Sequence, residues 1–115
     1  MKPQLGTSQA RLVRALVALL TPESEDMLTA AREPGGFVLE AIDTVPWATL
    51  TFAGEHHRLV CHVPAGRQTT VDSDALHLPG VMVAVRSAVW RVDGSVARLT
   101  LDVLTLRDPL TNVLR

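Results

Sequence analysis

Aromatic residues, cysteine and net charge are all scarce in this sequence, and each shortage argues against a class of protein. Two phenylalanines, two tryptophans and no tyrosine are too few for a surface that stacks nucleic-acid bases. The net charge of −1 provides no basic field for nucleic acid or for an anionic membrane. We therefore expect neither nucleic acid nor a membrane as a partner.

The single cysteine, Cys61, cannot form an internal disulfide, which favours a reducing compartment. We expect no secretory signal peptide, because Arg11 and Arg14 interrupt the apolar run near the N-terminus and no small-residue cleavage pattern follows it. No apolar run approaches the length of a membrane span. Ten arginines stand against one lysine, a bias typical of GC-rich bacterial coding sequences. We predict a cytoplasmic bacterial protein.

The N-terminal third predicts two helices. Thr7 or Ser8 precedes apolar residues at helical spacing and is expected to cap the first helix. The second is expected to begin at Thr21-Pro22-Glu23, because threonine caps, proline suits the first turn and glutamate favours the positive end of the helix dipole. Residues 34–36, Pro-Gly-Gly, end it.

From Phe37 onward the apolar pattern has a period of two, which predicts strands. Five strands are expected, over residues 37–43, 47–53, 56–63, 81–92 and 95–107, with a polar connection over 64–79. The 115 residues suffice for one core, so we predict a single α+β domain over 1–115, with two N-terminal helices packed on a curved, five-stranded, mainly antiparallel sheet. This element order resembles that of cystatin-like folds, a resemblance that implies no function.

The stretch Glu-His-His-Arg-Leu-Val-Cys-His-Val, residues 55–63, concentrates potential metal ligands. In a strand, however, neighbouring side chains point to opposite faces. His57 and Cys61 share a face about 13 Å apart, and His56 and His62 share the other about 20 Å apart, at roughly 3.3 Å per residue. Zinc needs its ligands within about 2.3 Å of the metal. We therefore predict a strand with a buried cysteine, and no metal site.

Recognisable catalytic and cofactor-binding motifs are missing from the sequence. We therefore predict no catalytic residues and no cofactor. Acidic residues that lie close in sequence fall in an expected loop and at a helix start, where we interpret them as solvated surface.

The last two strands predict a hairpin that is apolar on both faces. A turn at Asp93-Gly94 pairs Val92 with Ser95 and places one apolar face under the helices. The other face collects Val81, Val83, Val85, Val89, Leu104 and Leu106. Such a stripe indicates a covered surface. Either a second copy covers it, which makes Val83, Val85, Val89, Leu104 and Leu106 the dimer interface, or the chain covers itself.

Arg86 is expected among apolar neighbours, where a guanidinium needs an acceptor. One interpretation is an anchor for a small apolar acid, with Trp90 as a wall and His57 as the titrating group. The other is an arginine at the sheet edge that reaches water.

Two functions are thus predicted from the sequence. The first is a small non-enzymatic protein that self-associates as a homodimer or binds a protein partner through its sheet. The alternative is a protein, or an enzyme, that binds a small apolar acid between helices and sheet.

Overall fold

A computed structural model of the chain describes residues 5–21 and 36–107. Its elements are α1 (Thr7–Leu20), β1 (Val38–Ala48), β2 (Ala53–Pro64), β3 (Met82–Asp93) and β4 (Val96–Arg107). The strands form one antiparallel sheet in the order β1-β2-β4-β3. The α+β class is confirmed, but within the described residues one helix and four strands replace the expected two and five. The second predicted helix lies largely in residues 22–35, outside the described residues.

Helix α1 packs an apolar stripe of Leu12, Leu16, Val17 and Leu20 into the core. The predicted cap at Thr7 or Ser8 is wrong, because the N-cap residue is Gly6. The Gln9 side chain stabilises this end instead, since its Oε1 accepts a hydrogen bond of 3.1 Å from the Gly6 N–H. At the other end Thr21 donates from Oγ1 to the Val17 carbonyl at 2.6 Å.

Strand β1 contains nearly all of the first predicted strand but only Trp47 and Ala48 of the second. It runs on through Pro46 to these two residues, and the chain then turns at 49–52. Thr49 closes this turn, because its Oγ1 accepts the backbone N–H groups of Thr51 at 3.2 Å and Phe52 at 3.0 Å. The separate strand predicted over 47–53 is therefore wrong.

The hairpin between β3 and β4 has a different register from the predicted one. Asp93 pairs with Val96 and Trp90 pairs with Leu99, so the two-residue loop is Gly94-Ser95 rather than Asp93-Gly94. Gly94 adopts φ +63°, a backbone conformation that glycine takes without strain. A shift of two residues leaves the faces unchanged as far as Ser87. A bulge between Val85 and Ser87 then exchanges them.

The connection between β2 and β3 contributes to the core, although its composition predicts only a polar loop. Val71, Leu76 and Leu78 are buried in the same cluster as α1 and the sheet. Two hydrogen bonds attach the connection to β3: Trp90 Nε1 donates to the Thr69 carbonyl at 2.8 Å, and the Val85 N–H donates to Ser73 Oγ at 2.9 Å.

The core therefore lies on one face of the sheet, which we call the inner face. Its buried strand side chains are those of Leu59, Cys61, Val63, Ala97, Leu99, Leu101 and Val103. Both α1 and the 65–81 connection pack against this face. The opposite face, called the outer face below, points away from both of these segments.

Candidate functional site

Backbone pairing arranges the outer-face side chains in five rows across the sheet, each in the strand order β1-β2-β4-β3. The rows are Val38-His62-Arg98-Arg91, Ala41-Val60-Thr100-Val89, Asp43-Arg58-Asp102-Ser87, Val45-His56-Leu104-Ala84 and Trp47-Gly54-Leu106-Met82. We call the third of these the charged row. The last two rows form the apolar end. The outer face thus has a charged middle and one apolar end.

The charged row alternates in sign across the first three strands. Asp102 accepts a short hydrogen bond from His56 Nε2, and its Oδ2 lies 4.0 Å from Arg58 Nε. The Arg58 side chain is nevertheless 73% exposed. An exposed pair of this kind adds little stability, so the Arg58 guanidinium remains available to a partner.

The apolar end exposes large side chains to solvent. Met82 is 69% exposed and Val45 is 60% exposed, while Leu104 and Leu106 are half-buried. Leu50 and Phe52 extend the exposure into the adjoining turn. Contiguous exposed apolar side chains mark association sites on soluble proteins.

Trp47 is fixed in the apolar end by the glycine paired with it. A Cβ at Gly54 would lie 3.0 Å from Trp47 Cζ2 and 1.9 Å from the Thr105 carbonyl oxygen, so only glycine lets the indole and the strand approach this closely. The indole N–H is buried without an acceptor among the described residues. Packing on the strand holds the ring.

The opposite end of the outer face carries an ionic cluster at the bulge residue Glu40. Its Oε2 accepts hydrogen bonds from Arg98 Nε at 2.8 Å and His62 Nδ1 at 2.7 Å. These partners lower the pKa of the Glu40 carboxyl below its usual value. This end is therefore polar, and its Glu40 carboxylate is already paired within the chain with Arg98 and His62.

Both edge strands are blunted against pairing with another strand. In β1, Pro46 lacks a backbone N–H, and the register shifts at Glu40. In β3, the bulge lies at Arg86, and the N–H of Val85 is bonded to Ser73. Bulges, proline and covered donors suppress edge-to-edge association. The face of the sheet, rather than its edge, is the available surface.

The bulge redistributes the five residues predicted for the dimer interface. Val89, Leu104 and Leu106 lie on the outer face, whereas Val83 and Val85 point inward and pack against the core. The expectation that these two share a face with the other three is wrong. Sequence reasoning missed Val45 and Met82. Only the adjacent polar residues Arg86 and Ser87 mark the bulge in the sequence.

The three residues predicted to bind a small acid are spread over the sheet. Arg86 is exposed at the bulge of the edge strand, not surrounded by apolar neighbours. Trp90 lies on the inner face of β3 beside Thr69. His57 lies on β2, with β4 between it and β3. The structure therefore does not bring the three together.

His57 instead borders an open cleft between the start of α1 and the inner face. This cleft has a volume of about 330 Å³ and is lined by Thr7, Ser8, Arg11, Glu55, His57, Leu78, Val81 and Thr105. It combines one cation, one carboxylate and several hydroxyl groups. Arg11 is thus the cation that can pair with a carboxylate in this cleft, and Leu78 and Val81 provide apolar surface beside it.

A hydrogen-bond chain holds the ring of His57. Gln9 Nε2 donates to Thr44 Oγ1 at 2.9 Å, and the same hydroxyl oxygen is hydrogen-bonded to His57 Nδ1 at 2.8 Å. The other ring nitrogen, Nε2, is 3.4 Å from Thr105 Oγ1 and 3.9 Å from Glu55 Oε1. Burial lowers the pKa of His57, and Glu55 opposes this only in part.

The histidine-rich stretch forms strand β2, as predicted. His57, Leu59, Cys61 and Val63 are buried, while the side chains between them point to the outer face. Burial raises the pKa of the Cys61 thiol to about 12, so this cysteine is unreactive. Within residues 5–21 and 36–107, no group of three histidine, cysteine or acidic side chains is placed to hold a metal ion.

Comparisons with protein-family models, curated proteins and solved structures give no match. The likeness to cystatin-like folds therefore stays a resemblance in element order. Among the described residues no helix combines the length and the apolar character needed to cross a membrane.

Proposed function

We propose that this chain is a small, non-enzymatic, cytoplasmic bacterial protein that self-associates as a homodimer through the outer face of its sheet. One observation carries the proposal. The apolar end, with Val45 and Met82 more than half exposed, lies on a face that points away from both α1 and the 65–81 connection. Blunted edges leave this face as the surface for association.

The size of the outer face suits a second copy. Four strands of 11 or 12 residues, about 4.8 Å apart and rising about 3.3 Å per residue, give a face of roughly 750 Å². A standard interface buries about 800 Å² on each partner. Two such faces in contact make a sandwich of two sheets, a common arrangement of antiparallel sheets.

The low net charge also favours self-association. Two copies of a chain with a net charge of −1 repel each other little, and |net charge| near zero promotes association. The charged row contains both signs, so Arg58 of one copy can pair with an aspartate in the row of the other.

Sedimentation equilibrium tests the proposal with a matched pair of valine variants. Val45 is 60% exposed at the apolar end, and Val92 is 56% exposed at the hairpin end on the inner side. At about 50 µM, a concentration suited to micromolar affinity, we expect a dimer for the wild type and for Val92→Glu. We expect a monomer for Val45→Glu, because a charge there would be buried without a partner.

A wild type that sediments only as a monomer at this concentration contradicts the proposal. Equal behaviour of the two valine variants contradicts the assignment of the outer face.

A second candidate function, binding of a small apolar acid, is supported by the cleft beside His57. In this version Arg11, which lines the cleft, provides the cation in place of Arg86. Short aliphatic carboxylates should raise the melting temperature of the wild type and of Arg86→Gln, but not that of Arg11→Gln. Equal shifts in all three proteins, or none in any, refute this candidate.

A further inference from the structure

We infer that the second copy docks about a two-fold axis that is parallel to the strands and runs between β2 and β4. Each row of the outer face then meets the same row of the other copy, with the strands in reverse order. This inference rests on the proposed self-association and specifies its geometry. In this dimer Arg58 of each copy faces Asp102 of the other.

Charge distinguishes this axis from the alternative one. Two sheets facing each other are related by a two-fold axis in the plane between them, and isologous contacts repeat on both sides of it. An axis parallel to the strands exchanges β2 with β4 and places the Arg58 guanidinium opposite an Asp102 carboxylate. An axis along the charged row places Arg58 opposite Arg58 and Asp102 opposite Asp102, and like charges brought together oppose association.

The apolar end independently favours the axis parallel to the strands. With the axis parallel to the strands, the apolar end of one copy covers that of the other: Trp47 faces Met82, and Val45 faces Ala84. Thioether sulfur packs favourably against aromatic rings. With the axis along the charged row, the Trp47 and Met82 row instead faces the row of Arg98 and Arg91, which would bury charge against apolar surface.

The ionic cluster at Glu40 is compatible with the inferred axis. Arg98 and His62 face each other across the dimer, and each copy already supplies a Glu40 carboxylate that bonds to both. The pairs in the charged row are therefore the groups whose partners change most on association. They make Arg58 and Asp102 the residues that determine the specificity of the contact.

Mixing two charge variants tests the geometry. Arg58→Asp leaves only acids at these two positions, and Asp102→Arg leaves only bases. Each variant alone should dimerise more weakly than the wild type, whereas an equimolar mixture should form a heterodimer at least about tenfold tighter than either homodimer, as expected for close charge pairs across an interface. Contacts within one chain cannot explain such a rescue, because each chain keeps its like charges after mixing.

A cross-linking measurement tests the same axis if the two charge variants fold poorly. Val45 and Ala84 lie on opposite edge strands of one chain but face each other in the inferred dimer. A bismaleimide matched to the roughly 10 Å between packed sheets should link Val45→Cys chains to Ala84→Cys chains in a mixture. Neither variant alone should give comparable dimers.

A mixture of charge variants that binds no tighter than either variant alone overturns the inferred axis, as does cross-linking that is equal with and without mixing. The proposed function survives either result if the wild type still dimerises and Val45→Glu does not. A monomeric wild type contradicts both the inferred axis and the proposed self-association.

Discussion

The two faces of this sheet are built from the same four strands but differ in burial and in composition. On the inner face, leucines such as Leu59 and Leu99 are completely covered by α1 and the 65–81 connection. On the outer face, Val45 and Met82 are exposed and charges of both signs occupy the middle. This chain thus completes its core on the inner face and leaves large apolar side chains of the outer face exposed.

The largest effect is expected from a matched pair of leucines on β4. Leu99 is fully buried on the inner face, whereas Leu104 is half-buried on the outer face. Leu99→Ala should lower the free energy of unfolding by about 2–5 kcal/mol, because it opens a cavity in the core. In dilute protein Leu104→Ala should cost less than about 1 kcal/mol. Urea denaturation measures both, and equal losses would contradict the difference between the faces.

A smaller but substantial effect is expected at Gly54, where β2 approaches both β4 and Trp47. The methyl group of Gly54→Ala would lie 1.9 Å from the Thr105 carbonyl oxygen, so the strands must separate. We expect a loss of about 2–3 kcal/mol in unfolding free energy, within the range for overpacked sites. Gly6→Ala is the control, since the nearest atom to a Cβ there is 3.9 Å away. Similar melting temperatures for Gly54→Ala and wild type would refute this contact.

The smallest effect is expected from the buried histidine of the inner face. The pKa of His57 is lowered in the folded protein, so the unfolded chain binds a proton more readily. Stability is therefore present above the unfolded pKa of about 6.5 and is lost as pH falls from there through the folded pKa. Thermal melts between pH 7.5 and about 5 should show this loss, on the order of 1 kcal/mol per pKa unit.

His57→Gln should flatten that part of the pH dependence, and His77→Gln, at an exposed position, should retain it. An unchanged pH profile in His57→Gln would show that other groups cause the acid sensitivity.

Sequence alternation alone identified β2, β3 and β4, with small errors at their ends, and the faces of β2, because a period of two is imposed by the pleat. It failed where the backbone is irregular. Arg86 and Ser87 interrupt the apolar alternation at the bulge, but two polar residues do not by themselves specify a bulge, so Val83 and Val85 were assigned to the wrong face. The turn at 49–52 was not predicted either, because Leu50 and Phe52 continue the apolar alternation of the preceding strand.

The candidate site was only partly predictable for the same reason. The apolar stripe on the last hairpin led to the prediction of a covering partner, and three of its residues, Val89, Leu104 and Leu106, lie together on the outer face. Met82 also lies on the outer face, because the bulge exchanges the faces of the β3 residues that precede it. The cleft beside His57 depends on Arg11 and Glu55 meeting across about 45 residues of chain, and neither residue has a local pattern that marks it.

The two tryptophans provide the most direct test of the central claim, because Trp47 lies on the outer face and Trp90 on the inner face. Acrylamide quenching is measured for Trp90→Phe, which reports on Trp47, and for Trp47→Phe, which reports on Trp90, from about 1 to 100 µM protein, the range of micromolar association. We predict that Trp47 becomes less accessible as the concentration rises, while Trp90 does not change. Concentration-independent quenching of Trp47 would contradict the claim that a second copy covers the outer face.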